Sequence, residues 1–87
     1  MKPEEQMLIS AVRYALGRQS YITGVTCDFV RSIASKLSDK CINIMIKDIM
    51  DELVRYHSMN LYCGMEMDDK SWKDLLDFLR KERDSRK

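Results

Sequence analysis

Residues 41–54 read CINIMIKDIMDELV, and their spacing decides the fold. Ile42, Met45, Ile46, Ile49, Met50 and Leu53 recur at alternating three- and four-residue steps. That is the period of one helical face, not the two-residue alternation of a strand. Ile44 adds an apolar residue away from this seam. Just ahead, Ser38 and Asp39 offer side-chain oxygens to the orphan amides of a first helical turn. The stretch predicts a central helix whose seam serves either the core or a partner helix.

Upstream, Pro3 with Glu4 and Glu5 opens a helix, because proline loses nothing in a first turn and carboxylates favour the positive end of the dipole. Leu8, Val12, Ala15 and Leu16, widened by Ile9 and Ala11, carry that helix over 4–16, and Gly17 is placed to end it. Residues 18–24 are turn-like. A second helix is expected from Thr23 or Gly24 to about Lys36, with Val25, Phe29, Val30, Ile33, Ala34 and Leu37 on its inner face. Downstream, periodicity lapses over 57–67, which suggests a folded-back loop or short strand. Asp68 or Asp69 then caps a last helix bearing Trp72, Leu75, Leu76 and Leu79, with Phe78 beside them, and the charged tail 80–87 is expected to fray. The fold class is all-α: four helices in one compact domain, 1–87, with a short irregular segment before the last helix.

Eighty-seven residues leave no room for a second core. A chain of this size buries only about 60–65% of its unfolded surface, so an oligomer is expected, through the seam of the central helix. Fifteen basic residues against fourteen acidic ones leave no general attraction for phosphate backbones. The distribution is uneven. Over 11–47 there are six basic residues and two acids, whereas 48–87 carries ten acids and eight basic residues. Acids at the amino terminus interrupt any signal-like apolar run, and no stretch reaches membrane-spanning length. Cys27, Cys41 and Cys63 are odd in number and widely spaced, which fits reduced thiols in a cytoplasm.

Catalytic residue types are sparse. The one histidine, His57, stands where the third helix runs out and reads as a favourable C-terminal cation or a surface residue. Cys27, in the first turn of the expected second helix, reads either as a dipole-activated thiol or as a small buried apolar residue. The cysteine and histidine spacings match no metal motif, and there is no phosphate-cradling glycine loop, so neither metal nor cofactor is expected. Asp48, Asp51 and Glu52 share one face of the third helix; they suit a cation or a partner's arginine, or are simply solvated. The first helix and its exit carry more chemistry. Arg13, Tyr14, Arg18 and Tyr21 offer two guanidinium forks and two phenols, a set suited to an anion with a planar ring. Alternatively, the arginines pair with acids such as Asp48 and the tyrosines pack.

Residues 10–18, SAVRYALGR, followed by Tyr21 and Ile22, resemble the opening of a family of small proteins of bacteriophages and prophages of Gram-positive bacteria. The Ile46-Lys47-Asp48-Ile49 element and the Asp69 to Trp72 start of the last helix fit the same pattern. The resemblance implies a setting, a small phage accessory protein in the cytoplasm of a bacterial host, and no enzymatic activity. It makes Arg13, Tyr14, Arg18, Tyr21, Lys47 and Asp48 the candidate ligand-binding residues. The expected function is counter-defence by non-catalytic binding, sequestering a nucleotide-like host immune signal. One alternative is a protein-protein inhibitor of a host defence enzyme such as a CRISPR effector, its acidic carboxy-terminal half mimicking nucleic-acid charge. Another is a helix-turn-helix regulator built from helices two and three, disfavoured because the recognition helix lacks positive charge.

Overall fold

The first helix, α1, spans Pro3–Leu16 and buries Leu8, Ile9, Val12, Ala15 and Leu16 along one side. The computed structural model describes residues 1–16, 21–58 and 69–86. Within them α2 follows at Tyr21–Ile33, a 3-10 turn at Ala34–Lys36, α3 at Asp39–Ser58 and α4 at Asp69–Ser85. The chain is an all-α, four-helix domain. Of the loop or strand expected over 57–67, the first two residues instead continue the third helix, which persists through Ser58, and 59–67 lie outside the described residues.

Each helix packs on two others: α1 on α2 and α3, and α4 likewise on α2 and α3. So α1 and α4 lie on one diagonal of the bundle, and α2 and α3 on the other. One cluster fills the centre, with Val12, Val30, Met45, Ile49, Trp72, Leu75 and Leu79 wholly buried. The α3 seam is therefore core: Ile42, Met45, Ile46, Ile49 and Leu53 are buried, and only Met50 among the seam residues is exposed. Of that seam, only Met50 is left exposed for an oligomer to use.

Helix α2 departs from expectation in start and rotation. It begins two residues before Thr23, its last turn tightens to 3-10, and its inward stripe is Thr23, Cys27, Val30 and Ala34. Val25 and Phe29 stand outward, each 54% exposed. Most of the inward residues are small, which suits close packing of α2 on α4; Cys27 Sγ lies 4.0 Å from the Ser71 carbonyl oxygen.

Two polar joints fix the ends. Ser38 caps α3, its Oγ accepting from the Cys41 N–H at 3.2 Å. In a capping box the third helical residue returns a carboxylate to the cap's own N–H. Here that residue is Cys41, and Glu5 of α1 supplies the carboxylate instead. Its Oε2 accepts from Ser38 N–H at 2.7 Å and its Oε1 from the Ser38 hydroxyl at 3.1 Å. Glu5 is thus buried, not the exposed dipole partner its position suggests. The second joint corrects the frayed tail. Arg86 donates to the carbonyl oxygens of Ala34 (2.9 Å) and Leu37 (2.6 Å) and pairs with Asp39 (2.8 Å) and Glu82 (3.1 Å). The guanidinium fork caps the Leu37 carbonyl and adds a second donor to that of Ala34, which already accepts from the Leu37 N–H at 3.2 Å, and this joint holds α4 helical to Ser85.

Candidate functional site

Helix α1 presents different chemistry on its two flanks. Toward α3, Arg13 meets Asp48 at two points, Nε to Oδ2 at 2.7 Å and Nη2 to Oδ1 at 3.4 Å. One turn of α3 holds both acids of this flank, and Lys47 pairs with Asp51 at 2.6 Å across an i, i+4 step. The hydrogen bond and charge of Asp48 raise the Arg13 pKa, and Asp51 does the same for Lys47. Arg13 is also close enough to Lys47 that its charge opposes the lysine's.

Of the six candidate residues, the structure brings Arg13, Lys47 and Asp48 together. Tyr14 follows Arg13 on α1 and is 53% exposed. Arg18 and the side chain of Tyr21 lie outside the described residues, as do Cys63 and the side chain of His57. The Arg13–Asp48 pair realises the internal ion pair weighed for this segment. Yet the arginine side chain remains 60% exposed while Asp48 is 18% exposed. It is an oriented cation at the surface.

The remaining candidates resolve into structure. Asp48 and Asp51 are paired as above, and Glu52 lies 3.9 Å from Arg55. Because α2 starts at Tyr21, Cys27 sits past the first turn, and it is buried against α4, so no reagent reaches it. Burial, with the nearby Glu5 charge, pushes the Cys41 thiol up to about 11, which keeps it protonated and inert. Among the described residues no group of three acid, histidine or cysteine side chains could hold a metal ion. Nor is any helix among them long and apolar enough to cross a membrane.

Toward α2, the other flank of α1 is apolar and open. Met7, Leu8 and Ala11 of α1 face Val25, Phe29 and Ile33 of α2 across a groove of about 490 Å³, with Glu4 and Glu5 at one end. Met7 is 74% exposed on its rim. Sequence reasoning assigned Val25 and Phe29 to the core and missed this groove. The available signal was that α2 is apolar on two sides, Thr23-Cys27-Val30-Ala34 and Ile22-Val25-Phe29-Ile33, where one buried face needs a single stripe. Comparison with family models, curated proteins and solved structures finds no match for this chain.

Proposed function

We propose that the protein works by stoichiometric, non-catalytic binding, and that its ligand is a nucleotide-like anion held on the α1–α3 flank. The observation that carries this reading is Arg13, whose two bonds to Asp48 fix the plane of its guanidinium while most of the side chain stays exposed. A donor fixed in advance loses little entropy when a phosphate arrives. Lys47 supplies a second exposed cation, and an anion placed between the two relieves their mutual repulsion. Tyr14, which follows Arg13 on α1 and is 53% exposed, is the candidate ring, although helical spacing aligns it with Met7 and not with Arg13. In the setting implied by the phage-protein resemblance, the bound molecule is a host immune signal and the protein is a sequestering agent.

The alternatives draw less support. Helix α4 sets five basic residues among its five acids, so this helix does not offer the one-signed charge that nucleic-acid mimicry requires. In a helix-turn-helix pair the two helices pack on each other, whereas α2 and α3 sit on a diagonal of the bundle, and the apolar face of α3 is buried.

Native mass spectrometry of the chain purified from a bacterial host under phage attack, followed by heat release of bound small molecules, tests the proposal. A nucleotide-like species is expected with the unaltered chain, lost with Arg13→Ala and weakened with Asp48→Ala, which frees the arginine's orientation. Protein that emerges without small molecules but holding a host protein overturns sequestration in favour of direct inhibition.

A further inference from the structure

We infer that Glu5 and Arg86 form one cooperative latch, an anion and a cation that grip the same peptide group from opposite sides and so couple the amino end of α1 to the carboxyl end of α4. Neither residue belongs to the proposed ligand site, so the two readings stand or fall separately.

The shared group is the peptide that joins Leu37 to Ser38. Behind it the 3-10 turn closes, with Leu37 N–H donating to the Ala34 carbonyl oxygen at 3.2 Å; ahead of it α3 opens, with Ile42 N–H donating to the Ser38 carbonyl oxygen at 3.0 Å. Leu37 itself is extended, at φ −83° and ψ 149°. The peptide therefore belongs to neither helix, and its own N–H and C=O need partners from elsewhere. Both partners are charged. Ser38 N–H donates to Glu5 Oε2 at 2.7 Å, and the Leu37 carbonyl oxygen accepts from Arg86 Nη1 at 2.6 Å. The N–H and C=O of a trans peptide point to opposite sides, which suits supply by two helices that lie across a diagonal of the bundle. A carboxylate on the N–H makes the carbonyl oxygen more negative, and a guanidinium on that oxygen makes the N–H a better donor, so each bond strengthens the other. Both side chains are held in place. Glu5 is 6% exposed with its Oε1 bonded to the Ser38 hydroxyl, and Arg86 is fixed by Asp39, Glu82 and the Ala34 carbonyl oxygen. The other groups whose charge bears on the pair are Lys2 and the protonated Cys41 thiol beside Glu5, and Asp39 and Glu82 beside Arg86.

Residue-resolved hydrogen exchange of the full chain, with the Glu5 carboxyl titrated by NMR in parallel, provides the test. Arg86→Gln should speed exchange of the Ser38 and Cys41 amides at the head of α3 by about two- to fivefold, and should raise the Glu5 pKa toward 4.5. Linkage makes the effect reciprocal. Glu5→Gln should therefore speed exchange in the last turn of α4 by a similar factor, although α1 and α4 lie across the bundle from each other. The amide of Val25, toward the other end of α2, should not change in either variant. In the double variant, urea denaturation should show a loss smaller than the sum of the two single losses. Exchange that quickens only at the helix end carrying the substitution, with additive losses in the double variant, overturns the latch and leaves two separate joints. So does a coupling that disappears in molar salt, because a field across solvent is screened there and a relay through a bonded peptide is not.

Discussion

The two flanks of α1 differ in what the chain leaves unfinished. Toward α3, each charged group has found an opposite charge within the molecule: Arg13 with Asp48, Lys47 with Asp51. Toward α2, Met7, Val25 and Phe29 remain half exposed or more around an open groove. Exposed ion pairs cost little to keep and contribute little, so a satisfied charged flank says more about orientation than about stability. Exposed apolar area has no such internal remedy and is removed from water only by another surface. The contrast therefore assigns different work to the flanks, an oriented cation on one side and a surface awaiting cover on the other.

The largest expected effect separates true core from open face. Ile49 is wholly buried in the α3 seam, and Ile49→Ala should cost about 2–5 kcal/mol in chemical denaturation, through lost transfer energy and the cavity left behind. Phe29→Ala, on the larger side chain, should change monomer stability by no more than about 0.5–1 kcal/mol, measured at a concentration low enough to exclude association. Equal losses from the two substitutions would mean that the α2 stripe is core after all, and the contrast between the flanks would collapse.

These positions also show what was legible in the chain. The α3 seam could be read because large aliphatic residues recur there at helical spacing and nothing competes for the interior. The rotation of α2 was legible only in part: Val30, Ala34 and Leu37 turn inward as expected, but reading by hydrophobic size favours Val25 and Phe29 over Thr23 and Cys27. The inward stripe meets α4, where Cys27 Sγ lies 4.0 Å from the carbonyl oxygen of Ser71, 44 residues on, and helical spacing does not encode so distant a contact. Arg86 gave no signal for a similar reason: its acceptors include backbone carbonyls at Ala34 and Leu37, which every residue possesses. At the candidate site, the pairing of Arg13 with an acid such as Asp48 was legible as one of two outcomes. The residual exposure of that arginine depends on how deeply α1 and α3 nest, which spacing does not encode.

A smaller effect, confined to acid conditions, probes the joint beneath the groove. Both oxygens of Glu5 are held by Ser38. The Ser38 N–H is the chief cause that draws its pKa below the ordinary 4.5; burial opposes this, and the Ser38 hydroxyl adds to it. A carboxylate whose folded pKa is depressed contributes stability that is fully present above its unfolded value and is lost as pH falls through the folded one. Thermal melts of the chain should therefore be insensitive to Glu5 above about pH 5 and decline below 4.5. Glu5→Gln should start from a lower Tm near neutrality and show a shallower decline, since an amide cannot titrate. Parallel pH profiles for the two proteins would remove Glu5 from its assigned role in capping α3.

The smallest effect sharpens the comparison by improving α2 without touching either flank's chemistry. Gly24 lies exposed within α2, and a β-carbon built there meets nothing within 4 Å. Its backbone is helical, so alanine fits without strain, and the unfolded chain loses conformational freedom that glycine retains. Gly24→Ala should raise stability by about 0.4–1 kcal/mol in urea denaturation, at the lower end because the residue sits in the first turn of the helix.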